Sequence, residues 1–424
     1  MTTNSQTTPT TQSRYRGALL GLATGDALGT TVEFSAPGSF EPVTDMVGGG
    51  PFNLPAGAWT DDTSMALCLG ESLVTCGRFK PQDQLQRYVL WYRAGYLSST
   101  GKFFDIGGAT RAALHRFEET GEAYPGDHAP TAAGNGPLMK LAPVPMAYAQ
   151  DPWKAVQWSA LSCETTHGDQ DAISATEYFA ALIVAALNGD DVIAALRAGT
   201  TTGLFSQGLR NRLQPKVAAI AAGSYITKQP PEIRGTGYII DALEAALWAL
   251  ESHDTFEQGV LAAVNLGDDA DTTAAIYGQL AGAIYGVEAI PEQWLEKLVM
   301  RAEITKMADD LLALSETVAD SLGPTPWGRN CYETPPHARP SKLTDEVLTA
   351  SGQPINLTDE QRAVIEWLDR ESADAPIPLS GEPETEGFRA LSTQWVCQLE
   401  GIGVPEEEDI KAALRELKRQ RDLG

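Results

Sequence analysis

The 424-residue sequence predicts an all-α fold, on three observations. Its long apolar segments, such as DAISATEYFAALIVAAL (171–187) and DALEAALWALES (241–252), are rich in alanine and leucine and repeat at helical spacing. Alternating β-branched runs that would make half-buried strands are scarce. Glycines recur every four residues at 17, 21, 25 and 29, and again at 278, 282 and 286. That spacing leaves one face of a helix smooth, so that a second helix can approach closely.

From the N-terminus, MTTNSQTTPTTQ is polar and uncharged and lacks the apolar stretch of a signal peptide, so residues 1–12 are expected to be a disordered tail. Residues 13–325 are expected to form one compact domain whose core helices are apolar almost all round. The run GALLGLATGDALG (17–29) is interrupted by Asp26 and falls short of the ~20 residues that span a bilayer. Neither glycine series has the lysine or the strand–glycine–helix context of a phosphate loop. The proline-rich stretch within 323–342 predicts an extended connector, placed at 326–345. Residues 346–424 are expected to be a helical accessory region. Thr358 and Gln361 stand at capping-box spacing, and a last helix starts after Pro405 with acids first and bases last. Its stripe of Ile410, Leu414 and Leu417 is expected to dock on the main domain or on a partner.

Composition narrows the function. Hydrophobic residues make up 43% and charged residues 21%, an ordinary globular mixture. Acids outnumber bases 56 to 31, which argues against a nucleic-acid surface; the surplus serves solubility. Cysteines 68, 76, 163, 331 and 397 form no C-x-x-C pair, so no zinc site or disulfide framework is indicated and a reducing cytoplasm is expected.

Two acidic knots carry the chemistry. WTDDTSMAL (59–67) and NLGDDADTTAAI (265–276) each place adjacent carboxylates beside threonines at the opening of an apolar helix. Threonine or aspartate as a helix N-cap accounts for one acid of the first knot and leaves the second unexplained. In the second knot Asp268, Asp269 and Asp271 crowd within four residues, and adjacent acids repel unless a cation lies between them. All the donors are oxygens, which suits a hard cation: Mg²⁺, Mn²⁺ or Ca²⁺. An EF-hand loop from Asp269 fails, because Ala274 and Leu280 stand where glycine and an acid are needed. DADTT also fits the D-x-D-x-T pattern of phosphatases that form an aspartyl-phosphate, which would place Asp269 at the end of a buried strand.

In order along residues 14 to 325, the segments GALLGLATGDALG…VEF, GAWTDDTSMAL, FFDIGGATR, GNGPLMKLAPV, TTHGDQDA, GYIIDALEAALWAL and NLGDDADTTAAIYGQLAGAIYG resemble the ADP-ribosylglycohydrolase family. The resemblance implies a compact, orthogonal multi-helix domain with a two-metal Mg²⁺ or Mn²⁺ centre that cleaves ADP-ribose from a modified side chain. Thr60, Asp61, Asp62, Asp269, Asp271 and Thr272 would be the ligands, Asp62 would also be catalytic, and Asp268 would be a neighbour. Glu33 would position the attacking water or gate the pocket, unless it is a plain loop glutamate. Gly134, Asn135 and Gly136 would bring backbone N–H groups to the diphosphate, unless they form only a tight turn. His167 would contact ribose or phosphate and Tyr238 would stack on adenine, with core packing the competing role for both. Asp105 would lie beside the leaving group, where a carboxylate can pair with a guanidinium. The resemblance therefore implies an ADP-ribosyl-arginine protein as substrate and ADP-ribose as product. Serine-, base- or small-molecule-linked ADP-ribose, and a binding module without turnover, are the alternatives.

Overall fold

The computed structural model describes residues 8–205, 207–321, 356–358, 361–362, 365 and 406–422. Within them every regular element is a helix, and the only β-pairings are isolated bridges. Residues 1–7 of the expected tail and the whole proline-rich connector lie outside the described residues. The chain divides into two compact units, Met1–Leu204 with Leu213–Gly323, and Phe205–Arg212 with Pro324–Gly424.

The first unit is built on two helices in backbone contact. Thr11–Gly29 begins after Thr10, whose side chain caps Ser13 N–H, two residues before the boundary expected from the sequence. A Cβ placed on Gly17, Gly21 or Gly25 would meet the carbonyl oxygens of Gly282, Gly278 and Ala274 in turn, all on the helix Ala270–Tyr285. The two series run in opposite directions, so the helices are antiparallel, and the four-residue glycine spacing is what lets them touch. A Cβ on Gly29 would meet the backbone of Asp271, so this contact ends at the second acidic knot. At the other end the buried Arg14 donates from Nη1 to the carbonyls of Ala186, Ala283 and Ile284 at 2.9–3.1 Å. A cation there satisfies carbonyls that the helix C-termini leave open.

The helices Gln170–Leu187 and Ile239–Ser252, both expected from their periodicity, complete the core, with Leu182, Ile183, Leu243 and Leu247 fully buried. Gln279, buried on the same helix as the second knot, donates from Nε2 to the carbonyls of Leu138 and Met139, and its Oε1 accepts from Ala142 N–H. This clamp fastens the GNGPLM segment to the helix that carries the acids.

In the second unit Thr358 and Gln361 form the expected capping box: Thr358 N–H donates to Gln361 Oε1 at 2.9 Å, and Gln361 N–H to Thr358 Oγ1 at 3.2 Å. The last helix spans Glu407–Asp422, and its Ile410, Leu414 and Leu417 are buried in a small cluster with Leu357 and Ile365 of the same unit. Among the described residues no helix is long and apolar enough to cross a membrane.

Candidate active site

The first knot opens the helix Asp61–Cys76 and the second opens Ala270–Tyr285. Thr60 and Asp269 occupy the N-cap positions, yet neither side chain caps its own helix. Instead the two knots face each other. Thr60 Oγ1 lies 3.2 Å from Asp271 Oδ2, and Thr272 Oγ1 lies 3.3 Å from Asp62 Oδ1. Helix capping therefore does not account for the paired acids.

Asp26, the residue that interrupts the first glycine helix, holds the first knot in place. Its Oδ1 accepts from Thr60 N–H at 2.9 Å and lies 3.0 Å from Thr60 Oγ1, while its Oδ2 accepts from Thr63 N–H at 3.0 Å and Thr63 Oγ1 at 2.6 Å. It is fully buried, and it supplies from another helix the N-cap that Thr60 does not provide. Asp26 is a positioning residue that nothing in the local sequence marks beyond a charge in an apolar run. Asp26→Asn keeps the shape but accepts at one oxygen only, so one pair of buried donors loses its partner. We expect the divalent-cation concentration that half-restores activity to rise about 10- to 100-fold, read from a metal titration, while the fold is retained.

The donor set fits a divalent cation. Carboxylate oxygens of Glu33, Asp269 and Asp271 lie within 4.8 Å of one another, so Glu33 joins the second knot. Asp62 Oδ2 and Asp271 Oδ1 are buried and have no hydrogen-bond partner. Orphaned, buried carboxylate oxygens are costly, and in metal-free protein they answer by holding protons. Burial and the neighbouring carboxylates push Asp61, Asp62 and Asp271 well above the usual range. Glu33 is pushed up to about 9, by burial first and then by the charges of Asp105, Asp269 and Asp26. A hard cation placed among these oxygens would replace the protons and satisfy the orphaned lone pairs.

Over the acids opens a cleft of about 610 Å³, lined among others by Glu33, Asp61, Asp105, Asp269, Asp271 and Thr272. Asp105 is hydrogen-bonded to Asp61, carboxyl to carboxyl. Gly134, Asn135, Gly136 and His167 also line it. The N–H of Asn135 is already given to the Gly237 carbonyl at 3.0 Å, so it is not available to a diphosphate as the sequence suggested. What Asn135 contributes is its side chain, whose Nδ2 donates to Asp269 Oδ2 at 2.7 Å. The flanking glycines make room for the buried His167 ring: a Cβ on Gly134 would sit 3.1 Å from its Nε2, and one on Gly136 2.8 Å from its Cε1. His167 Nδ1 is 2.9 Å from Thr166 Oγ1, and burial with the nearby Lys140 charge lowers its pKa to about 3. It is a neutral imidazole on the cleft wall.

Tyr238, next to the lining residues Thr236 and Gly237, is not itself among the residues lining this cleft. Its hydroxyl donates to Asp171 Oδ2 at 3.0 Å and accepts from Lys216 Nζ at 2.8 Å, and this exposed network holds the side chain. Lys140, embedded in the apolar GNGPLMKLAPV run, also went unmarked in the sequence. Its buried Nζ donates to the Gly136 carbonyl at 2.9 Å, bracing the loop from below. Asp269 follows a loop after the helix Phe256–Val264 and opens another helix, so the strand-end geometry of an aspartyl-phosphate site is not present here.

Comparison with known proteins agrees with this geometry. The profile of the ADP-ribosylglycohydrolases matches residues 7–321. ADP-ribosylarginine hydrolase Tri1 of Pseudomonas putida is 42% identical over 317 residues, covering 74% of this chain and 82% of that protein. The ADP-ribosyl-(dinitrogen reductase) glycohydrolase of Rhodospirillum rubrum is 32% identical, covering 73% and 99%. A solved structure described as an ADP-ribosylglycohydrolase-related protein complex superposes with a TM-score of 0.63 at 45% identity, over 72% of this chain and 99% of that one.

Proposed function

Because the chain belongs to the ADP-ribosylglycohydrolase family and is a hydrolase, we propose that it removes ADP-ribose from modified arginine side chains of a protein, using two Mg²⁺ or Mn²⁺ ions. One observation carries this reading: Asp105 lines the same cleft as the converging carboxylates of Glu33, Asp269 and Asp271. We assign the activity to residues 13–325, with the C-terminal region as an accessory. We place the protein in a reducing cytoplasm, because the five cysteines of the sequence form no C-x-x-C pair.

Thr60, Asp61, Asp62, Asp269, Asp271 and Thr272 would hold the ions, with Glu33 beside them. When bound, such ions supply charge that orients ribose hydroxyls and acidifies a water molecule. The protein's own groups do the rest. Hydrolysis breaks the bond between ribose C1″ and the guanidinium nitrogen; water gives its oxygen to C1″ and a proton to that nitrogen. We assign to Glu33, on the cleft wall, and to Asp62 behind it the positioning of the water and the acceptance of its proton. Asp105 meets the edge of the guanidinium and steadies the leaving group. The neutral His167 offers a hydrogen bond to ribose or phosphate without adding a charge. Asn135 keeps Asp269 turned into the cluster.

The linkage is tested by comparing arginine- and serine-linked ADP-ribosyl proteins, each with Mg²⁺ or Mn²⁺ and with chelator. Wild-type protein is expected to release ADP-ribose from arginine preferentially and only with the cation. In Asp105→Ala a charge-assisted contact of roughly 1.5–3 kcal/mol is lost, a drop of about ten- to a hundredfold in rate on the arginine substrate. Equal losses on both substrates would remove Asp105 from the specificity role.

A further inference from the structure

Phe34 is 67% exposed and lines the cleft. Its ring centroid lies 6.5 Å from that of Phe52 in an edge contact, and Phe52 lies 5.2 Å from Phe104. The row therefore begins one residue after Glu33 and ends one residue before Asp105, so each end adjoins a cleft carboxylate. The backbone of Phe34 is left-handed, with φ of 60°, a region that bulky residues seldom adopt. It is held there by two backbone bonds: Phe34 N–H to the Asp268 carbonyl at 2.7 Å, and Asp268 N–H to the Ser35 carbonyl at 2.8 Å. Asp268 is itself left-handed, with φ of 54°. An exposed ring on an unfavourable backbone is a double cost to the folded chain, and such outliers gather where a ligand makes use of them.

We infer that Phe34, backed by Phe52 and Phe104, is the ring that receives the cationic arginine side chain of the substrate protein. This deepens the arginine-hydrolase reading and rests on it. A guanidinium is flat and weakly hydrated, so it can lay its face and its methylenes on aromatic rings while its edge donates to carboxylates. Here Phe34 supplies the face, and Asp105 and Glu33 supply the acceptors. No lysine or arginine is among the residues lining the cleft, so nothing there opposes a cationic occupant. A serine linkage has neither the planar cation nor the long apolar stem and would leave the row uncovered.

The test uses the full-length, Mg²⁺-loaded protein and the variants Phe34→Leu, Phe104→Leu and Phe34→Trp. Leucine keeps an apolar side chain and removes the ring face; tryptophan restores a stronger one. Phe34→Leu is expected to lose about five- to thirtyfold in kcat/KM on an arginine-linked ADP-ribosyl protein, and Phe104→Leu, which supports it through Phe52, a smaller part of that. The loss should fall mainly in KM, with little change on a serine-linked substrate and with the wild-type Mg²⁺-dependent rise in Tm. Phe34→Trp should match or exceed wild type on the arginine substrate. If wild type releases ADP-ribose from arginine but the leucine variants keep its KM, or lose equally on both linkages, this inference is overturned alone. If wild type does not act on the arginine linkage at all, the proposed function falls together with it.

Discussion

Asp269→Ala is expected to lower turnover on the order of 10³-fold or more, since a ligated ion contributes several kcal/mol of transition-state stabilisation. Asp269 belongs to the oxygen cluster with Glu33 and Asp271, and it is held by Asn135. Its loss should also abolish the rise in Tm that Mg²⁺ or Mn²⁺ gives the wild type. Without metal the variant should lose far less stability, because the cost of burying the Asp269 carboxyl goes with it and partly offsets the lost Asn135 hydrogen bond. Thermal melts of both proteins with and without the cation check all of this. A variant that keeps the wild-type metal-induced rise would show that the ions bind elsewhere.

Gly21→Val is expected to damage the whole fold. A Cβ at Gly21 would run into the backbone carbonyl of Gly278, where no side chain can rotate away. Overpacking a site whose neighbour is backbone should cost about 3 kcal/mol or more, a large part of ordinary domain stability. Denaturant unfolding of the variant measures it. The two helices so separated carry Asp26, which orients the first knot, and Asp271 of the second, so residual folded protein should also bind metal more weakly. A variant with wild-type stability would mean that the helices can shift apart without consequence.

The glycine contact was readable from the sequence because its spacing is local: four residues is close to one helical turn, and both series carry it. The knots were readable for the same reason, since adjacent acids beside threonines declare a site without a fold. What the sequence did not show depends on which segments meet in space. Asp26 lies 34 residues before Thr60 and looked like an interruption of an apolar helix, although its four hydrogen bonds make it the support of the first knot. Asn135 looked like part of a turn that offers backbone N–H groups. Its own N–H is taken by Gly237, a pairing about a hundred residues away, and the side chain serves instead. Tyr238 has the residue type for stacking on a base, and the fold adds what the sequence did not show: its hydroxyl is tied to Asp171 and Lys216. The backbone sign of Phe34 has no signature in an isolated sequence at all.

The raised carboxyl pKa values give the metal-free protein a definite pH dependence. Glu33 is raised from 4.5 to about 9, so the folded state holds a proton that the unfolded chain would release. The stability this contributes is complete below about pH 4.5 and is lost as pH rises towards 9, the sign opposite to that of a salt-bridged carboxylate. Asp61, Asp62 and Asp271 act in the same direction. Because cations and protons compete for the same oxygens, the stabilisation given by Mg²⁺ or Mn²⁺ should grow with pH across that window.

The most direct measurement is therefore calorimetric titration of Mn²⁺ into metal-free protein at pH 7, repeated in buffers of different ionisation enthalpy so that released protons are counted. The proposed two-ion centre predicts two Mn²⁺ bound per chain, with release of about one proton or more, and loss of that signal in Asp269→Ala. Binding that releases no protons, or that persists unchanged in Asp269→Ala, would contradict a metal centre formed by these carboxylates.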